Sequence, residues 1–187
     1  MDNDAKELKR IFNIANKNFL IKNSLLLDSN VSERTLCGAL MIELKKCIER
    51  SKYKYYFVDV EYNRNVKGTI KMCKKTVLGP LDELVTINCD LIVHSRGINT
   101  ESDNLIALEM KKSNASKKNK EKDRNRLKSL TSFEDVYSGD GTLNPQYVCG
   151  YKLGIYYELN LKTGKGVIEY YYAGEFVNKE NFMIQTT

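Results

Sequence analysis

Two short apolar runs in this chain carry charged groups that an ordinary strand interior does not hold. The first is Cys89-Asp90-Leu91-Ile92-Val93-His94. After a polar loop it is followed by Asn104-Leu105-Ile106-Ala107-Leu108-Glu109-Met110-Lys111. Side chains alternate across a strand, so Asp90, Ile92 and His94 share a face of the first run, and Ala107, Glu109 and Lys111 a face of the second. A carboxylate inside an apolar strand is costly unless a partner or a cation compensates it. If the runs pair, Asp90 and Glu109 meet over a common cleft with Lys111 beside them.

The chain has 187 residues, which suits one domain spanning 1–187 with a sizeable core. A hydrophobic fraction of 42% and an aromatic fraction of 10% exclude a disordered chain. The net charge of +6 and a pI near 8.9 admit a polyanionic partner without demanding one. Cys37, Cys47, Cys73, Cys89 and Cys149 lie far apart, with no C-x-x-C pair. That is neither a disulfide framework nor a zinc site, and it fits reduced thiols. The first residues are charged and lack a signal peptide's apolar core, and no run approaches the roughly 20 apolar residues of a membrane span. The expected setting is cytoplasmic, away from membranes.

Apolar residues at helical spacing (Leu8, Ile11, Phe12, Ala15, Phe19) predict a first helix over 5–22. A second helix is expected over 33–50, with Ser32 as its N-cap. Leu36, Leu40, Leu44, Cys47 and Ile48 form its apolar stripe. Glu33 falls near the middle of that stripe and should face the body of the protein, Glu43 lies at its edge, and Ile42 is on the wrong side. Tyr55 to Arg64 is aromatic and β-branched, hence a strand, with Asp59 and Glu61 on one face. Residues 65–83 read as irregular, and strands are expected over roughly 85–95 and 104–112. The basic stretch 113–130 is helical in its second half, where Leu127 and Leu130 give a narrow apolar stripe. Tyr147 to Leu159 and Val167 to Tyr172 read as strands, joined by a hairpin turn at 161–166. Thr163-Gly164-Lys165-Gly166 lacks the upstream glycine of a P-loop. The order is helix, strand, strand, strand, helix, strand with a β-hairpin extension, a mixed α/β domain.

Three blocks, Val58-Asp59-Val60-Glu61-Tyr62-Asn63-Arg64, Asp90-Leu91-Ile92-Val93-His94-Ser95-Arg96-Gly97 and Leu108-Glu109-Met110-Lys111-Lys112, with Glu33 upstream, resemble the PD-(D/E)XK nuclease superfamily. The likeness is to its small stand-alone members and spans about residues 30–155. Cys89 replaces the proline of the superfamily's name. The resemblance implies a restriction-endonuclease-like αβββαβ core, a mixed sheet flanked by helices, here with the C-terminal hairpin added. It implies a Mg²⁺-dependent nuclease, with Mn²⁺ able to substitute, acting on DNA. Asp90 and Glu109 would hold the metal, helped by the main-chain carbonyl of Met110, and Glu33 would complete its shell. Lys111 would orient the attacking water or stabilise the transition state. The chemistry suits these types: phosphodiester hydrolysis needs a cation to neutralise developing charge, and Mg²⁺ prefers oxygen ligands. Glu109→Ala or Asp90→Ala is expected to abolish metal-dependent cleavage and leave the fold intact.

Plainer readings stand beside these. Glu33 also suits a helix dipole, and Asp90, Glu109 and Lys111 also make a structural salt-bridge cluster. His94 either packs at the sheet edge or contacts a phosphate, for which Arg96 is the better candidate. Asp59 and Glu61 are expected to pair with Arg64 or a lysine, the alternative being that they touch the metal. Lys112, Lys117, Lys118 and Lys122 belong to a basic run that is either a solvated face or a nucleic-acid contact. Tyr147 and Tyr151 are candidates to line the cleft. Double-strand cutting would favour a two-fold homodimer. The alternatives are a catalytically silent module binding nucleic acid or protein, and a nuclease that needs an activating partner.

Overall fold

A computed structural model describes residues 1–62, 88–132 and 150–184, with the backbone of four short strands between 64 and 86. Helix α1, Asn3–Lys22, starts where the Asp2 side chain accepts a hydrogen bond from the Ala5 amide at 2.7 Å. It buries the predicted stripe from Leu8 to Phe19. A short α2, Ser24–Asp28, leads to α3, Glu33–Glu49. Ser32 caps α3 by accepting from the Thr35 amide, as its hydroxyl equips it to do. The α3 stripe is buried through Leu36, Leu40, Leu44 and Ile48, and Ile42 faces outward. Glu43 stands at the edge of that stripe. It is buried between α1 and α3 and clasped by Lys22 and Lys46 at 2.8 and 2.7 Å. Hydrogen bonds from the two cations hold the carboxyl below its usual value.

The strands are β1 (Phe57–Val60), β2 (Arg64–Lys67), β3 (Lys71–Lys74), β4 (Thr76–Leu78), β5 (Leu84–Thr86), β6 (Leu91–His94) and β7 (Asn104–Lys112). Helix α4 (Lys117–Thr131) follows, then β8 (Leu153–Asn160), β9 (Lys165–Tyr172) and β10 (Glu175–Met183). Six strands form one mixed sheet in the order β1-β6-β7-β8-β9-β10. Within it β7 and β8 are parallel and the other neighbours antiparallel. A parallel pair needs a crossover, and α4 supplies it. The expected order of helix, three strands, helix and strand is met by α3, β1, β6, β7, α4 and β8. Residues 65–83, expected to be irregular, contribute to two small antiparallel pairs, β2 with β3 and β4 with β5. The strand expected over 147–159 is described from Leu153; Tyr147 lies outside the described residues. The C-terminal hairpin is in fact a three-strand meander, because β10 adds to β9.

Alternation along β6 and β7 sorts the core into two halves. Leu91, Val93, Ile106, Leu108 and Met110 pack with α1 and α3. Ile92, Ala107 and Tyr156 pack with Leu127 and Leu130 of α4 on the opposite face. Small residues let partners approach closely at two points. Gly154 lies beneath Thr131, where a Cβ would come within 2.9 Å of its methyl carbon. Gly166 lies under the Phe182 ring, which stacks on Tyr157 at 5.6 Å. Among the described residues, no helix is long and apolar enough to cross a membrane.

Candidate functional site

Strand register brings the acidic groups together. Leu91 pairs with Leu108 and Ile92 with Ala107, so one further step sets Asp90 opposite Glu109 on the α4 side of the sheet. Asp90 precedes the first residue of β6, and its Oδ2 accepts from the Met110 amide at 2.8 Å. Glu33, in the first turn of α3, reaches the end of the same strand, where its Oε1 accepts from the Lys112 amide at 2.7 Å. Lys111 lies between them, its Nζ 3.5 Å from Glu33 Oε2 and 3.7 Å from Asp90 Oδ2. It also donates to the Met110 carbonyl at 3.0 Å. Three separate stretches of chain thus supply Glu33, Asp90 and Lys111 to one place. A cavity of about 310 Å³ opens beside them, bounded by Glu33, Arg34, Cys37, Val60, Glu61 and Asp90.

Glu109 is placed differently. It is 1% exposed and accepts from Arg126 Nη1 on α4 at 2.6 Å. Burial drives its carboxyl upward from the usual range, with Arg126 opposing. Burial also raises the Asp90 carboxyl, opposed by Lys111 and the Met110 amide. For Lys111 burial acts downward, but Asp90, Asp123 and Glu33 outweigh it and hold the ammonium firmly charged.

Asp123 is the member of this cluster that the sequence reading missed. It is 5% exposed, with Oδ2 3.2 Å from Lys111 Nζ and Oδ1 3.4 Å from Arg126 Nη1. Its position held the necessary signal. Asp123 stands one and two turns before Leu127 and Leu130, on the apolar stripe of α4, as Glu33 stands before Leu36 on α3. Within a run of lysines and arginines it reads instead as a mere charge offset.

The remaining candidates divide between the interior and the surface. His94 is fully buried, its Nε2 2.9 Å from Asp59 Oδ2 and its ring 4.5 Å from that of Tyr62. Arg96 donates to both Asp59 oxygens, at 2.8 and 2.6 Å, and lies over the Phe57 ring. Here Asp59 holds both groups proposed to meet phosphate. Glu61 accepts a two-pronged bond from Arg34. The expectation that these two acids are paired is met among the described residues by His94 and Arg96 for Asp59 and by Arg34 for Glu61; the Arg64 side chain lies outside the described residues. Tyr151 is buried against Cys89 and Ile92. The basic stretch splits in two. Lys120 pairs with Glu158, Arg124 with Glu169 and Arg126 with Glu109. Lys117, Lys118 and Lys122 face solvent, and Lys112 donates to Asn30.

Oxygen donors alone suit magnesium, and Asp90 and Glu33 present theirs beside the cavity. Among the described residues no three acidic, imidazole or thiol side chains converge as ligands of one ion. Glu109 would have to exchange Arg126 for the ion. No family model, curated protein or solved structure matches the chain.

Two outcomes follow for stability. Glu109→Ala would strip half-buried Arg126 of its nearest partner, leaving only Asp123 at 3.4 Å, and should cost roughly 3–5 kcal/mol in urea unfolding. Glu109→Gln, which keeps a hydrogen bond, should cost distinctly less. The expectation that Glu109→Ala leaves the fold intact is therefore replaced by one for Glu109→Gln; equal stability of the two variants would contradict this. At Asp59, burial raises the carboxyl, but bonds from Arg96 and His94 outweigh it and hold it below its usual value. The stabilisation is thus fully present above the unfolded-state pKa of about 4 and is lost as pH falls through the lower folded-state value. Asp59→Asn should cost about 1–3 kcal/mol at pH 7, with the gap to wild type closing in acid. A gap independent of pH would rule out the charged pairing.

Proposed function

We propose that this chain is a metal-dependent nuclease of the PD-(D/E)XK type, with a restriction-endonuclease-like core, hydrolysing phosphodiester bonds in DNA. The observation that carries the reading is the meeting of Lys111 with Glu33 and Asp90, the two acids at one cavity; Asp90 and Lys111 come from blocks of sequence that resemble that superfamily, and Glu33 from upstream of them. A six-strand mixed sheet flanked by helices brings them together and supports the reading.

In this reading Asp90 and Glu33 hold Mg²⁺, or Mn²⁺ in its place, with the Met110 carbonyl and Glu109 as further oxygen donors. The ion, when bound, supplies charge neutralisation and a more acidic water. Lys111 contributes a fixed positive charge where the attacked phosphate gathers negative charge, and it needs no reorganisation to do so. Water adds to phosphorus, a bridging P–O bond breaks, and the departing oxygen takes up a proton. The outward face of α4, with Lys117, Lys118 and Lys122, runs on from the site strand and suits a phosphate backbone. Such contacts position the duplex without reading sequence.

A second reading is a silent binding module on the same scaffold. It draws on Glu109, which is tied to Arg126, and on the absence of three converged ligands among the described residues.

The deciding experiment is cleavage of plasmid, linear duplex, single-stranded DNA and RNA with Mg²⁺, Mn²⁺ or EDTA. Wild type should cut DNA only with metal, and Lys111→Ala should lose about 10²-fold or more in rate. Metal-independent cutting, or full activity in the variant, would end the nuclease assignment. Binding without cutting would favour the silent module. Replacing Lys117, Lys118 and Lys122 together by Gln should lower the slope of log affinity against log salt by roughly 2 to 3. An unchanged slope would make that face merely solvated.

A further inference from the structure

The cavity beside the site is walled mainly by acids. Among the described residues that border it, Glu33, Glu61 and Asp90 carry carboxylates, and Arg34 is the one cation. Lys111 contacts two of these acids without bordering the cavity itself. A phosphate entering there meets positive charge on the wall only at Arg34.

Arg34 is held, yet not fully engaged. Its Nε donates to Glu61 Oε1 at 2.8 Å and its Nη2 to Glu61 Oε2 at 2.7 Å. That fork occupies one edge of the planar guanidinium and leaves Nη1 without a partner among the described residues. The side chain is 74% exposed, so donors remain open to a ligand. A surface pair of this kind contributes little to stability, which leaves orientation as its main effect.

Glu61 is itself fixed under strain. Its φ of 49° lies in the left-handed region, which a glutamate rarely adopts. Such strain persists where the surroundings over-determine it. Here the Glu61 amide donates to the Asp90 carbonyl at 3.3 Å while its carboxylate grips Arg34. Glu61 thus links the main chain of Asp90 to the guanidinium, and Arg34 directly follows Glu33 in the first turn of α3. The cation is therefore placed with respect to both acids assigned to the metal.

We propose that Arg34 binds substrate phosphate: its open guanidinium donors take a non-bridging oxygen of the DNA backbone at the rim of the cavity, and Glu61 aims them. This rests on the nuclease reading of the site and adds a backbone contact to it. Guanidinium suits the task because its donors lie in one plane and can serve a carboxylate and a phosphate together. A side chain already restrained on one edge also loses less freedom when phosphate arrives.

The test is binding of the full-length chain to a short labelled DNA duplex by fluorescence anisotropy over a range of salt. EDTA is present, so that metal-dependent cutting is silent. Arg34→Ala should bind about tenfold more weakly and lower the slope of log affinity against log salt by about 1. Arg34→Lys should keep the slope but recover only part of the affinity, since an ammonium lacks the planar fork. Glu61→Ala leaves the guanidinium in place, so its slope should match wild type. A pair that merely braces α3 against the turn after β1 would make the two Ala variants equivalent, with neither slope moved. Mn²⁺ affinity by calorimetry should be no weaker in Arg34→Ala than in wild type. Unchanged DNA affinity in Arg34→Ala, full rescue by Arg34→Lys, or weakened Mn²⁺ binding would overturn the role of Arg34, and wild type that still cuts DNA would leave the nuclease reading standing. Wild type that neither binds nor cuts DNA would overturn both.

Discussion

Helix α4 is held to the sheet mainly by charge, and the arrangement of the site depends on it. Its described buried residues include only two large apolar side chains, Leu127 and Leu130, too little on their own to anchor fifteen residues. Four ionic contacts complete the seam. Lys120 reaches Glu158 on β8, Arg124 reaches Glu169 on β9, and Asp123 and Arg126 reach Lys111 and Glu109 on β7. The Arg124 guanidinium also lies over the Tyr156 ring at 4.1 Å, so the long side chains cover apolar surface as well as pairing. The end of the helix approaches closely because Gly154 offers no side chain beneath Thr131. As the crossover between the parallel strands β7 and β8, α4 determines how those strands meet, and its inward charges determine where Glu109 and Lys111 point.

Such a seam is not explained by stability. Burying an ion pair removes two charges from water, and well-packed apolar residues of the same size often serve as well or better. Arg124 with Glu169 and Lys120 with Glu158 have no visible task beyond docking. The inner pairs differ because their strand members stand beside Asp90 and Glu33. The same contacts that restrain Lys111 also preserve its positive charge, and a preorganised cation beside two carboxylates is what phosphoryl chemistry asks of a protein. On the proposed reading, a structural brace and a reactive site are not rival descriptions of these residues. The brace is a means of keeping the charges in place.

Much of this was legible from local pattern. The stripes of α1 and α3, the Ser32 cap and the alternation in β6 and β7 follow from periods of 3.6 and 2, and they locate Glu33, Asp90 and Lys111 without tertiary knowledge. What escaped depended on partners distant in sequence. Asp59 and His94 lie 35 residues apart and meet only because β1 pairs with β6, with His94 opposite Phe57 and Ile92 opposite Asp59. The Glu43 clasp needs α1 laid against α3. The pairs β2–β3 and β4–β5 are three or four residues per strand, too short for alternation to emerge from a Lys- and Thr-rich sequence. Strand β10 was missed because its residues are nearly all exposed, so it carries almost no apolar period.

The two blocks around Asp59 and His94 show how far a motif can be taken. Their polar residues invite a ligand-binding reading, yet Asp59 is engaged by His94 and Arg96, and Glu61 by Arg34. These bonds tie β1 to the end of β6 and join the turn after β1 to the first turn of α3. Val60, Glu61 and Arg34 form part of the cavity wall beside Asp90. The blocks therefore act on the site through its shape. Loosening the Asp59 cluster would shift that wall, although Asp59 makes no described ion pair with Glu33 or Lys111. Because a displacement of about 1 Å at reacting atoms can cost on the order of 100-fold in rate, residues that only brace the cavity can matter to chemistry nearly as much as those that face it.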